Sequence, residues 1–276
     1  MAAGDFLWVA LILMAVQPVL ARQIMDARRQ GAIARIERAR GTRLILLVHR
    51  QETVSFLGIP VLRYIDLHDA EAVARAIELT NPDTPIDFVL HTPGGLMLAA
   101  VQIARALKRH RGKVTVFIPH YAMSGGALIA LAADEIVMSQ NAMIGAVDPQ
   151  IEGMPASSLL RLVAQKPIAD VEDQTLLLAD IGALAIAQIS QEVTTLLSEG
   201  LAPEKAAEIA GILTEGRWTH DYGLGAGEAK ALGLPITTDM PVDVMALMNY
   251  FPQPLRRTPS VEFSPLRRGP PGPSLK

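Results

Sequence analysis

At 276 residues, half of them hydrophobic, the chain can bury one sizeable core with appendages and is short for two full domains. A formal charge of −3 leaves no basic excess to neutralise phosphates, which excludes a dedicated nucleic-acid binder. The absence of cysteine excludes disulfides, thiolate metal sites and a cysteine nucleophile, so covalent catalysis has to use an oxygen or a lysine.

From Phe6 to Ala21 the chain reads FLWVALILMAVQPVLA, apolar apart from Gln17 and Pro18. About 20 such residues cross a bilayer core. No Lys or Arg precedes the segment, whereas Arg22, Arg28 and Arg29 follow it. It therefore lacks the basic start of a cleaved signal, and the positive-inside bias puts the rest of the chain in the cytoplasm. The expectation is a single-pass anchor over residues 1–24 in the inner (cell) membrane; a buried or interfacial helix is the other reading of so short an apolar core. Residues 25–41, rich in Arg and Ala with Ile33 and Ile36 at loosely helical spacing, predict a helical stem or a solvated surface helix.

The body then alternates. RLILLVHR (43–50) reads as a buried strand, and DAEAVARAIELT (69–80) as a helix opened by an acidic cap and closed before Asn81-Pro82. IDFVLHT (86–92) is a strand, PGG a sharp turn, LMLAAVQIARALKRH (96–110) an amphipathic helix and KVTVFIPH (113–120) a third strand. A helix over 124–133 and the strand EIVMS (135–139) follow. This order predicts an α/β fold of βαβ units with a mainly parallel sheet covered on both faces. Beyond it, 175–201 and 203–212 predict helices, giving a mainly helical second half. The segment GLGAG (223–227) lacks the spacing and preceding strand of a dinucleotide fingerprint and reads as a loop. Residues 251–276, dense in Pro and Arg, read as a disordered tail, which leaves 42–250 as the folded domain.

In HYAMSGGALIALAADEI (120–136), Ser124 follows a strand directly and opens a helix. Its hydroxyl would feel a helix N-terminus, with the Gly125 N–H aimed at a developing oxyanion, yet a serine here also serves as an ordinary helix cap. HTPGG (91–95) supplies a second strand-to-helix turn with paired glycines. In a parallel sheet both turns lie at the carboxyl edge, so Gly94 and Gly95 stand where they could complete an oxyanion hole.

HTPGG, YAMSGGALIALAADEIVM and GAVDPQ resemble the motifs of the Clp and crotonase superfamily, and more narrowly those of signal peptide peptidase A-like serine proteases. LVHRQE, RYIDLHDAE, QKPI, DQTLLLAD, GRWTHDYG and LGLPITTDMP extend the likeness to the membrane-anchored serine dehydrogenase proteinases, from about Arg22 to Pro254. The resemblance implies a Clp/crotonase-like fold, a serine endopeptidase acting on peptides or membrane-associated proteins, and a homo-oligomer. It requires neither a metal nor another cofactor. The other readings open at this stage are a crotonase-like acyl-thioester enzyme, which uses backbone N–H donors without a nucleophile, and a non-catalytic membrane scaffold.

A serine needs a base. The region NAMIGAVDPQ, where Clp-type proteases carry their histidine, has none. His91 and His120 read as structural or as substrate-lining, and His220 with Asp221 forms a candidate distant pair. Of the six lysines, Lys166 alone stands between an apolar helix and a proline, and the resemblance implies a Ser-Lys dyad with the lysine several tens of residues downstream. The catalytic pair expected on that ground is Ser124 and Lys166.

Overall fold

The computed structural model describes residues 3–49, 55–56, 59–60 and 63–251, with side chains for 16–17, 19–49 and 63–251. The expected tail, Phe251 apart, lies outside the described residues, as do Arg50–Glu52 of the LVHRQE motif.

Helix α1 (Ala3–Arg40) runs unbroken through Pro18 and across the expected border between anchor and stem. It is followed by strand β1 (Arg43–Val48), α2 (Leu67–Glu78), β2 (Ile86–His91), α3 (Met97–Lys108) and β3 (Val114–Ile118). Then come a short β4 (Tyr121–Ala122), α4 (Gly125–Ala130), β5 (Glu135–Met138) and β6 (Met143–Gly145). The second half holds α5 (Ala156–Gln165), α6 (Asp173–Leu197), α7 (Pro203–Thr214), β7 (Gly223–Gly225), α8 (Ala226–Leu232), β8 (Ile236–Thr237) and α9 (Val242–Leu247). The main sheet is parallel throughout, in the order β1-β2-β3-β5-β8, and β7-β6-β4 form a small second sheet. The chain is thus mixed α/β with a mainly parallel central sheet, as the alternation of elements predicts.

Strand periodicity explains the layers. Alternate residues Leu44, Val89, Phe117 and Val137 point to one face and pack on Ala32 and Ile36 of α1 and on Val244 and Leu247 of α9. Their neighbours Ile45, Leu47, Phe88, Leu90, Val116, Ile118, Ile136 and Met138 point to the other face, against α2, α3, α4 and α7. Covered on both sides, β2 and β3 are buried along their whole length, which is why they read as continuous apolar runs. The stem residues of α1 are therefore part of the core. Arg40 clamps them to the sheet: it bonds the carboxylate of the buried Asp87, which also accepts from Thr42 Oγ1 at 2.7 Å. Its guanidinium also lies 5.0 Å from the Phe117 ring centre.

Two expectations shift. The α2 helix opens at Asp66, three residues before the predicted Asp69; Asp69 instead completes a capping box, its side chain accepting from the Asp66 N–H. Gly223–Gly225, read as a loop, is strand β7, pairing antiparallel with Met143–Gly145. A Cβ on Gly223 would stand 2.8 Å from that of Met143, so the glycine serves close strand pairing. Among the residues whose side chains are described, the one helix long and apolar enough to cross a membrane by length and composition is α6; most of the expected anchor over 1–24 lies outside them. Ala179, Gly182, Ile189 and Val193 of α6 are buried within the fold.

Candidate active site

The loops leaving the carboxyl ends of β2 and β3 meet, as parallel-sheet topology requires. Thr92 N–H donates to the Tyr121 carbonyl at 3.2 Å and Met123 N–H to the Thr92 carbonyl at 3.0 Å, so the two turns are stitched together just before Ser124. A Cβ on Gly94 would fall 2.7 Å from Ser124 Cβ, and one on Gly125 would fall 3.8 Å from the Gly95 nitrogen. The structure thus brings Gly94, Gly95, Ser124 and Gly125 to one point.

Ser124 occupies the position before α4 with φ 51° and ψ −121°, a left-handed backbone that costs a non-glycine residue roughly 1–3 kcal/mol. Its side chain makes no capping bond and has no hydrogen-bond partner among the described residues. Only 9% of the residue is exposed. A cap would contribute a bond to a helix N–H, and this hydroxyl does not. The Gly95 and Gly125 N–H groups likewise donate to nothing among the described residues, whereas Gly94 N–H is taken by Thr92 Oγ1 at 3.2 Å. Gly94 therefore contributes close approach to Ser124, and the free donors are Gly95 and Gly125.

The expected base is not seen at this point. Lys166 follows α5, is exposed, and makes no hydrogen bond or ion pair among the described residues. Its neighbours Leu162 and Ile168 are also exposed, Ile168 at 73%. His220 is paired, but with a different residue from the expected Asp221: its Nδ1 lies 2.8 Å from Oδ1 of the buried Asp148, whose Oδ2 accepts from Gln150 at 2.7 Å. That bond holds the His220 imidazole above its usual pKa, against the opposing effect of partial burial. Stacked Trp218 and Tyr222 rings, 5.7 Å apart, brace the segment that carries it. His220 and Asp221 line a cavity of about 420 Å³ with Pro93, Tyr121, Met123, Met143 and Gly223, so this cavity borders both glycine turns.

His91 and His120 fill space beside it: the His91 ring is buried, 4.3 Å from Tyr121 and 5.4 Å from His120 between ring centres. A larger groove of about 790 Å³ between α3 and α6 is crossed by the Arg105–Glu192 ion pair and has neither serine nor histidine among its described lining residues. Sequence reasoning missed two features. One is Asp148 as the partner of His220; the other is His49, buried beside the PGG turn with Nδ1 3.0 Å from Thr92 Oγ1. The LVHRQE motif was the available signal for the second.

The chain matches, over residues 1–271, the family model described as ClpP-like SDH-type serine proteinase. It is 48% identical over 261 residues to MJ1495 of Methanocaldococcus jannaschii, covering 95% of this chain and 89% of that protein. To MJ0137 of the same organism it is 45% identical over 258 residues, covering 94% and 90%. A shorter match, 32% identity over 91 residues, links it to the membrane protein NfeD1b of Bacillus subtilis, covering 32% of this chain and 21% of that protein. Strand-to-helix serine, paired glycine turns and a family match along nearly the whole length agree: the chain belongs to the ClpP-like SDH-type serine proteinases.

Proposed function

We propose that this chain is a membrane-anchored serine peptidase in which Ser124 is the nucleophile, Lys166 the general base, and the N–H groups of Gly95 and Gly125 the oxyanion donors. The observation that carries it is Ser124 itself, a non-glycine residue held at φ 51° whose hydroxyl, like the neighbouring Gly95 and Gly125 N–H groups, has no partner among the described residues. Lys166 takes the Ser124 proton, Oγ bonds to the peptide carbonyl carbon, and the resulting oxyanion is held by Gly95 and Gly125. The proton passes to the leaving amine, and water then cleaves the acyl ester.

A lysine acts as a base only when desolvated. In this reading a second copy of the chain covers the apolar surface of Leu162 and Ile168 and strips water from Lys166. The apolar start of α1 anchors the chain in the inner membrane, with Arg22, Arg28 and Arg29 keeping the 42–250 body on the cytoplasmic side. The similarity of a 91-residue stretch to a membrane protein supports membrane association in general. Substrates are then peptides or membrane-associated proteins.

One second reading has its own observation. With Nδ1 held by Asp148, the other ring nitrogen of His220 is the one available to take a proton, in the manner of a Ser-His-Asp triad.

Replacing Ser124 by glycine separates chemistry from scaffold. Ser124→Gly is expected to abolish cleavage of fluorogenic peptides by the detergent-solubilised full chain while stabilising the fold by about 1 kcal/mol, because glycine adopts this backbone freely. Equal cleavage, or a lowered urea midpoint, would contradict the assignment.

A further inference from the structure

Four groups that the mechanism above does not use form one continuous hydrogen-bonded chain ending at the glycine turn. His49 follows β1 and is 4% exposed; its N–H donates to the His91 carbonyl at 2.7 Å, which fixes the ring beside the end of β2. Its Nε2 stands 3.2 Å from Asp69 Oδ2 and its Nδ1 3.0 Å from Thr92 Oγ1. Thr92, fully buried, accepts the Gly94 N–H at 3.2 Å through the same oxygen. Asp69 is held in turn by the capping box at the start of α2.

Donor counting gives the chain a direction. Thr92 Oγ has one proton, and Gly94 N–H already donates to it. Asp69, as a carboxylate, can only accept, so Nε2 of His49 carries the proton and donates to it. Burial favours the neutral imidazole, outweighing the pull of Asp69 and, more weakly, of Asp66; Arg63 acts in the same direction as burial. Nδ1 of the neutral ring is then an acceptor, and the single Thr92 hydroxyl proton goes to it at 3.0 Å in preference to the Gly94 carbonyl, the longer alternative at 3.4 Å. Every bond runs one way, from the Gly94 N–H through Thr92 and His49 to Asp69.

The far end of this chain sets the peptide that precedes the Gly95 N–H. The turn is also gripped from its other side, where Ile65 N–H donates to the Gly94 carbonyl and Leu96 N–H to the Ile65 carbonyl, both at 2.8 Å. We propose that His49, acting through Thr92, is a positioning residue that aims the Gly95 N–H at the oxyanion of the adduct on Ser124, while Asp69 fixes which ring nitrogen of His49 carries the proton. The role rests on Ser124 being the nucleophile. Two substitutions at His49 divide its contacts: asparagine keeps a polar atom near the Nδ1 position and loses Asp69, whereas glutamine reaches toward Asp69 and loses Thr92.

The test uses the full chain in detergent with an aryl phosphonate that phosphonylates reactive serines, the serine oxygen bonding to phosphorus as the aryloxide leaves, and follows labelling rate and urea midpoint together. Thr92→Val is expected to slow labelling by about 100-fold, the scale of a misplaced reacting geometry, and His49→Gln to do the same. Thr92→Ser and His49→Asn are expected to label within about threefold of the parent chain, restoring the hydrogen bond that matters. Nitrogen-15 spectra of the imidazoles are expected to show His49 protonated on Nε2 and bare on Nδ1, with the Nδ1 resonance moving in Thr92→Val. If labelling requires Ser124 yet proceeds at the parental rate in Thr92→Val, or is lost equally in Thr92→Ser, the relay is wrong and the nucleophile stands. Labelling that persists in Ser124→Ala overturns both.

Discussion

Gly95→Ala is expected to destabilise the protein by about 3 kcal/mol or more and to eliminate peptidase activity. A Cβ at this position would lie 2.3 Å from both the nitrogen and the oxygen of Ile65 and 2.7 Å from its Cα. All three are main-chain atoms, so no side-chain rotation relieves the clash. The backbone also sits at φ 155°, which an L-residue resists independently of space. Relief requires the turn to leave Ile65, and that breaks the bonds from Ile65 N–H to the Gly94 carbonyl and from Leu96 N–H to the Ile65 carbonyl. The Gly95 donor moves with the turn. A loss of this size is a large share of the roughly 5–15 kcal/mol that holds a domain together. Urea unfolding followed by circular dichroism measures it; a midpoint equal to that of the parent chain would show that the turn is not held against Ile65 in solution.

Lys166→Ala is expected to slow acylation of Ser124 by about a thousandfold, the usual scale of a lost general base, with little change in the urea midpoint. The stability expectation follows from exposure: the side chain bonds to nothing among the described residues. His220→Asn is the paired measurement. Asp148 holds the His220 imidazole protonated to a higher pH than a free histidine, and an imidazolium has no lone pair with which to take the serine proton. The pair's contribution to stability is present in full below the ordinary histidine pKa and is lost as pH rises through the raised value in the fold. A His220-dependent reaction would switch on over that same rise. The expected result is an acylation rate in His220→Asn within about threefold of the parent chain at every pH where the protein stays folded. If His220→Asn loses the reaction and Lys166→Ala keeps it, the triad with Asp148 replaces the dyad.

The layer architecture was legible because the strands IDFVLH and VTVFI are buried on both faces and therefore read as apolar runs, the first followed by an amphipathic helix and the second leading into the wholly buried α4. The meeting of the two glycine turns followed from parallel topology alone. Ser124 was legible as a residue but not as a conformation: its left-handed backbone is imposed by the stitched loops on either side, and Met-Ser-Gly-Gly also describes an ordinary capped helix. Gly223–Gly225 escaped because a three-residue strand with two glycines has no hydrophobic period, and only its pairing with Met143–Gly145 defines it. Asp148 and His220 are 72 positions apart, and Asp221 beside the histidine offered a nearer carboxylate that the fold leaves exposed. Thr92 and His49 are 43 apart, so their contact belongs to the register of β1 against β2 and to no local motif.

The most direct test is to treat the detergent-solubilised full chain with an aryl phosphonate and to locate the adduct by peptide mass mapping. A single adduct is expected, on the peptide containing Ser124 and absent from Ser124→Ala. An adduct that persists on another residue in Ser124→Ala, or undiminished peptide cleavage by that variant, would contradict the assignment of Ser124 as the nucleophile.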